Sequence, residues 1–244
     1  MTHTKRPLPE TSETRTAVIT GASAGLGRAL TVELVLQGWQ VIATARRAER
    51  LDQLSDLLGA AVTAIAGDVS DQAHRATLAE VVGQRERLSL VVNNASRLGP
   101  SPMPALADFP LDELGRVYAT NLIAPLGILQ ITLPFLRAGG GVAINISSDA
   151  AASPYEGWGG YGSSKAALDH LTAIFAAENP DVPAYAFDPG DMRTEMHQAA
   201  FPGEDITDRP EPETVVPVIM RLISSRPPSG RYVASDVLKP QAST

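Results

Sequence analysis

Cysteine is absent from this 244-residue chain, so it can form no disulfide, no thiolate metal site and no cysteine nucleophile. Aromatic residues are scarce, at 5%, which leaves the core to Ala, Val, Leu and Ile and suits a parallel sheet covered on both faces. No run approaches the ~18 consecutive apolar residues of a membrane span. The opening segment also lacks the apolar stretch of a signal peptide. These absences predict a cytoplasmic protein with no membrane partner. A basic surplus is missing too: a net charge of −7 argues against nucleic acid as a partner. The four histidines show no metal-ligand spacing, so no metal is expected.

What is present is an ordinary apolar share of 44% and a length that suits one α/β domain. Apolar runs read as strands at Thr16–Thr20, Gln40–Ala45, Ala61–Ala66, Leu88–Val92, Gly141–Ser147, Val182–Phe187 and Arg231–Ala234. Helical patterns fall between them: Gly25–Gln37, stopped by Gly38, then Arg46–Leu58, Asp71–Glu86, Tyr161–Glu178 and Glu213–Ser224. A long helix is expected over Asp112–Arg137, bent or broken by Pro125 and Pro134. A proline-rich loop, Gly99–Pro110, precedes it. Strands alternating with helices at this spacing predict an α/β fold: a Rossmann-type, doubly wound parallel sheet of about seven strands with helices on both faces. The expected organisation is a flexible tail over 1–14, a single domain over 15–235 and a C-terminal tail over 236–244.

The turn Thr20-Gly-Ala-Ser-Ala-Gly-Leu-Gly27 leaves a strand and opens a helix, the context a dinucleotide-binding turn requires. Gly21, Gly25 and Gly27 allow a tight turn and close backbone approach to a pyrophosphate, while the helix N-terminus offers unpaired N–H groups around Ser23 and Leu26. An acidic residue at the end of strand two would favour NAD through its adenosine ribose; Ala45 stands there, followed by Arg46 and Arg47. Permanently charged guanidinium groups suit a 2′-phosphate, so NADP(H) is the expected cofactor. The plainer alternative is that the two arginines are a solvated helix start.

Taken in order, the glycine turn, Asp68-Val69, Asn93-Asn94-Ala95, Asn121, Ile146-Ser147-Ser148, Tyr161-Gly-Ser-Ser-Lys165 and Pro189-Gly190 resemble the short, single-domain branch of the short-chain dehydrogenase/reductases. The resemblance covers about Thr16 to Thr194. It implies that Asp68 bonds the adenine amino group with Val69 beside the ring, that Asn93, Asn94 and Ala95 line the cofactor, and that Pro189, Gly190 and Thr194 border the nicotinamide. Ser96 stands where the family usually has glycine.

Tyr161 and Lys165 are one helical turn apart and so share a face. A tyrosine with a pKa near ~10 is a poor base at neutral pH, and a neighbouring ammonium is expected to lower it. The resemblance implies that Tyr161 is the general acid/base and that Ser148 bonds the substrate oxygen. It further implies that Lys165 holds the nicotinamide ribose and that Asn121 disturbs its helix enough to hold a water between its backbone and Lys165. Ser147 is assigned to the strand end.

Pocket candidates are Ser96, Ala150, Trp158, Met196 and His197, with residues near 192–212 forming a mobile lid. Trp158 is either a pocket wall or packing at a helix entry; His197 reads as a lid or surface histidine rather than a base. The expected activity is reduction of a small carbonyl compound or oxidation of the corresponding alcohol, in a homodimer or homotetramer. A non-catalytic NADP-binding sensor or interaction protein, and a redox-neutral isomerase or dehydratase, are the alternatives.

Overall fold

The computed structural model describes residues 14–237. Of the expected tails, 1–14 and 236–244, all but Thr14, Asp236 and Val237 therefore lie outside the described residues. In chain order the elements are β1 (Thr16–Thr20), α1 (Gly25–Leu36), β2 (Gln40–Ala45), α2 (Ala48–Leu58), β3 (Val62–Ala66), α3 (Gln72–Gly83) and β4 (Leu90–Asn93). There follow α4 (Leu111–Tyr118), α5 (Ala124–Gly139), β5 (Val142–Ile146), α6 (Gly159–Glu178), β6 (Ala184–Asp188), α7 (Glu195–Ala200), α8 (Val216–Ser225), β7 (Gly230–Val233) and α9 (Ala234–Val237). The strands form one seven-stranded sheet in the order β3-β2-β1-β4-β5-β6-β7, every pair parallel.

Both faces of this sheet are buried, because successive side chains along a strand point to opposite sides. Ala17 and Ile19 of β1 enter one core with Leu30, Leu34, Leu51, Leu54 and Ile219 from α1, α2 and α8. Val18, between them, enters the other core with Leu78, Val82, Ile128, Leu129 and Phe175 from α3, α5 and α6. This two-sided burial is why the central strands read as continuous apolar runs rather than alternating ones. After β3 the chain crosses to the other side of β1, so a crevice opens beyond the carboxyl ends of β1 and β4, where open α/β sheets bind ligands.

Several boundaries differ from the sequence reading. Strand four begins at Leu90 rather than Leu88, and strand six ends at Asp188 rather than Phe187. The proposed lid contains a short helix, α7, which its six residues were too few to reveal by periodicity. The expected C-terminal tail is shortened at its start, since α9 extends through Val237. The long helix is not broken at either proline. Pro125 sits in the first turn of α5 and Pro134 is carried inside it, while the irregularity is a π turn at Ala119–Ile123, joining α4 to α5.

That joined stretch, Leu111–Gly139, is the most apolar long helix among the described residues. By length and composition it could cross a membrane, its 18-residue apolar window having a mean hydropathy of 1.5. Its apolar residues are interleaved with small and polar ones, so no unbroken run betrays it. In this fold Ile128, Leu129 and Leu136 are fully buried in the core beneath the sheet.

Candidate active site

A cavity of about 970 Å³ runs along the carboxyl ends of the strands. It is lined by Gly21, Ser23, Gly25, Leu26, Arg46, Arg47, Asp68, Val69, Asn94, Ala95, Ser96, Ser148, Trp158, Tyr161, Lys165, Pro189, Gly190, Thr194, Met196 and His197, residues that the sequence placed at the site. Gly27, Asn121 and Ala150 lie behind its wall, and Asn93 does not line it. Strand alternation explains the last: Asn94 faces the cleft, whereas Asn93 points inward and bonds Asn145 at 2.9 Å, which in turn bonds Thr172 of α6 at 2.8 Å.

The glycine turn is built for close packing. Gly21 has φ +68°, and a Cβ added there would lie 2.8 Å from Asn94 Nδ2 and 2.9 Å from Ala95 Cα. At Gly27 an added Cβ would meet the Gly21 carbonyl oxygen at 2.4 Å. Asn94 Nδ2 donates to the carbonyls of Thr20 and Gly21, and the Thr20 hydroxyl accepts from the backbone N–H of both Asn94 and Ala95. The ends of β1 and β4 are thus tied together by Thr20, a role its place in the motif did not reveal. Ala24 caps α1 without a side-chain hydrogen bond, so the first-turn N–H groups are directed into the cleft with the positive end of the helix dipole.

At the far end, Asp68 accepts from the backbone and hydroxyl of Ser70 at 2.9 and 2.7 Å. Burial opposes its ionisation, but these bonds and the nearby Arg46 and Arg97 hold its pKa below the ordinary value. Arg47, which caps α2, and Arg50, in its first turn, both reach the Glu195 carboxylate of α7, each at 2.5 Å. Sequence reasoning missed Arg50 and Glu195, since no local pattern links positions so far apart.

At the near end, α6 places Tyr161 and Lys165 on one face, 8% and 1% exposed. The Lys165 ammonium lies 5.5 Å from the Tyr161 ring centre and donates to the Ile146 carbonyl at 2.7 Å. Burial pushes the Tyr161 phenol up to about 12, with the Ser96 and Ser148 hydroxyls acting to lower it and Asp149 and Asp188 to raise it. Burial also pulls Lys165 down to about 8, against the attraction of Asp169. For the Tyr161 phenol the loss of hydration on burial is the largest influence, and it favours the protonated form.

Ser148 caps a short turn, accepting from the Ala150 N–H at 3.2 Å and donating to Asp149 at 2.9 Å. The adjacent Ser147 hydroxyl is buried without a partner among the described residues. Asn121, within the π turn, uses its side chain fully. Its oxygen accepts from the Arg97 N–H at 2.8 Å and the Ser96 hydroxyl at 3.2 Å; its nitrogen donates to the Arg97 carbonyl and Ser164 hydroxyl, both at 2.9 Å. Asn121 thereby fastens the segment after β4 to α6. The helix irregularity foreseen at Asn121 is present as the π turn, and its side-chain amide is spent on Ser96, Arg97 and Ser164.

Above Tyr161 the wall is apolar: Leu98 and Ala150 pack on it, with Met103, Trp158, Met196, Ala199 and Ala200 around them. Trp158 resolves both of its readings at once, since it immediately precedes α6 and stands edge-on to Tyr161 with ring centres 5.7 Å apart. Phe201 packs on Trp158 at 5.9 Å and on His197 at 4.8 Å. His197 Nε2 is buried with no hydrogen-bond partner among the described residues, and its Nδ1 is 3.8 Å from Asp191.

With this geometry in view, the comparison with known proteins is decisive: a model of the short chain dehydrogenase family matches residues 15–205. The chain belongs to the short-chain dehydrogenase/reductase family. Serine 3-dehydrogenase of Rhizobium radiobacter is 36% identical over 185 residues, spanning 74% of this chain and 73% of that relative. The benzil reductase ((S)-benzoin forming) of Bacillus subtilis (strain 168) is 35% identical, spanning 73% and 75%. A short chain dehydrogenase of Shigella flexneri 2a, solved in complex with NADP, superposes with a TM-score of 0.85 at 26% identity, covering 91% of this chain and 97% of that one. In this short-chain dehydrogenase/reductase the parallel sheet and its flanking helices are those of the family.

Proposed function

We propose that this chain is an NADP(H)-dependent oxidoreductase that interconverts a small carbonyl compound and the corresponding alcohol, with Tyr161 as general acid/base. The observation that carries this reading is the buried Tyr161 side chain, in one cavity with Ser148 and Ser96 and with the Lys165 ammonium 5.5 Å from its ring centre. Family membership supports oxidoreductase chemistry, and the Shigella relative binds NADP.

The residues present fit such a cofactor. The cradle at Gly21 and Gly27 has no room for a Cβ, and its uncapped helix N-terminus suits a pyrophosphate. Asp68 and Val69 would hold the adenine, Arg46 and Arg47 the 2′-phosphate, and Asn94, Ala95, Pro189, Gly190 and Thr194 the remainder. Bound NADPH supplies the hydride.

The chain's own residues supply the proton and the surroundings. At neutral pH the Tyr161 phenol, at about 12, is protonated and so carries the proton that a carbonyl oxygen needs as negative charge develops on it. Ser148, one of its hydroxyl partners, hydrogen-bonds the same oxygen and stabilises negative charge as it develops. Lys165, at about 8, is mostly cationic at neutral pH and favours the phenolate left after donation. Trp158, Leu98 and Met196 exclude water and favour an apolar group beside the reacting carbon. We also place the working enzyme as a homodimer or homotetramer, a reading supported by Leu126 of α5 and Ile174 of α6, which stand 37% and 46% exposed.

The test is Tyr161→Phe. Turnover of ketones with NADPH is expected to fall by ~100- to 10,000-fold, with NADPH affinity retained. Turnover at the wild-type rate would refute the acid/base role, while substrate conversion without net oxidation of NADPH would point to redox-neutral chemistry.

A further inference from the structure

Across the cofactor cleft, three charged side chains form a contact that the catalytic reading does not use. Arg47 caps the start of α2, two residues after the end of β2, and Arg50 lies in the first turn of that helix. Glu195 opens α7 on the opposite rim. Its Oε2 pairs with Arg47 Nη1 and its Oε1 with Arg50 Nη1, both at 2.5 Å. One anion thus bridges two guanidinium groups, and all three residues line the main cavity. Thr194, just before Glu195, brings its methyl to 3.3 Å from where a Cβ on Gly25 would lie. The start of α7 therefore crosses the cleft at the phosphate-binding turn.

We propose that Glu195 is a latch displaced by the cofactor: its carboxylate holds Arg47 and Arg50 in the place that the 2′-phosphate of NADP(H) takes, so Glu195 sets how strongly the chain discriminates NADPH from NADH. The inference rests on the cofactor reading above and adds to it Arg50, as a further phosphate-binding cation, and an internal competitor.

The physical case is one of exchange between anions. A carboxylate and a phosphate both satisfy a pair of guanidinium groups through separate oxygens, but the phosphate ester carries about −1.5 to −2 charges and three acceptor oxygens against one charge and two oxygens. Glu195 stays ionised at neutral pH, since the hydrogen bonds from Arg47 and Arg50 hold its carboxyl below the ordinary range. The contact is nonetheless weak enough to yield: the side chains of Arg47, Arg50 and Glu195 are 45%, 44% and 59% exposed, where each ion pair contributes little. NADH has no 2′-phosphate and can bind without breaking the latch. NADPH must evict the carboxylate, and so its affinity carries the whole of the competition.

The experiment is titration of the full-length protein with NADPH and with NADH, followed by calorimetry at low and high salt, for the wild type, Glu195→Gln, Arg50→Ala and Arg47→Ala. In Glu195→Gln the NADPH dissociation constant is expected to fall ~3- to 5-fold, the equivalent of one or two exposed ion pairs, while that for NADH stays within about twofold. High salt is expected to shrink the gap between wild type and variant, because the contact is exposed and screened. Arg50→Ala is expected to weaken NADPH alone. Weaker NADPH binding in Glu195→Gln, or an equal shift for both cofactors, overturns the latch. So does a silent Glu195→Gln beside an Arg47→Ala that abolishes NADPH preference, an outcome that leaves the cofactor reading standing. A wild type that does not discriminate, with neither arginine mattering, overturns the cofactor reading and the latch together.

Discussion

Replacing Asn121 by alanine separates the architecture of the site from its chemistry. The side chain is fully buried and makes four hydrogen bonds, two of them to the backbone N–H and carbonyl of Arg97. Ser164 keeps a partner when Asn121 is lost, because its hydroxyl also donates to the Tyr161 carbonyl at 2.6 Å. The two Arg97 backbone groups lose theirs, and an unsatisfied buried polar group costs ~1–3 kcal/mol. Partial access of water at this half-buried segment reduces the sum, so about 2–4 kcal/mol of stability should be lost. For a chain of this size that corresponds to a fall in melting temperature of roughly 5–15 °C. The assay is urea denaturation followed by tryptophan fluorescence. Trp39 is buried in the core and Trp158 lies at the site, so the two report globally and locally. In a Trp158→Phe background, the remaining signal should show the same loss. Activity should drop as well, because Ser96, a partner of both Asn121 and the Tyr161 phenol, is released. A loss below about 0.5 kcal/mol, the range of an ordinary surface substitution, would refute the claim that Asn121 fastens this segment.

Gly27→Ala should abolish cofactor binding before it abolishes folding, since the new Cβ meets the Gly21 carbonyl oxygen at 2.4 Å and distorts the turn; circular dichroism beside NADPH titration distinguishes the two losses. The Lys165 ammonium, lowered to about 8 by burial, makes the folded state bind fewer protons than the unfolded state up to its ordinary value of 10.5. Stability should therefore rise with pH across that window, and Lys165→Met should flatten the rise in pH-dependent urea titrations. A Lys165→Met profile as steep as the wild type would show that another group carries it. Tyr161 works in the opposite sense: with its folded value raised to about 12, the folded state holds the proton longer, and stability should fall as pH rises from about 10 toward 12. Tyr161→Phe should remove that decline.

Most of the fold was legible because its signals are local. A buried parallel strand declares itself by a short apolar run such as Ala17-Val18-Ile19, and a βα turn by glycines that tolerate no Cβ. The site was legible for a related reason: Tyr161 and Lys165 share a helix face by spacing alone, and the remaining motifs fall at strand ends that the topology gathers at one edge of the sheet. Asn93 shows the limit of that logic, since its neighbour Asn94 faces the cleft while its own amide is spent inside the fold on Asn145.

What the amino-acid order determined by itself was thus the sequence of elements, the glycine turn and the family to which both belong. Tertiary structure decided what depends on proximity between distant residues. It brought Glu195 to Arg47 and Arg50, and tied Asn121 to Arg97 and Ser164. It also packed one side of a span-length apolar helix, with Ile128, Leu129 and Leu136, into the core. It raised the proton affinity of Tyr161, because a pKa answers to the hydration lost on burial, and burial belongs to the whole fold rather than to any stretch of chain.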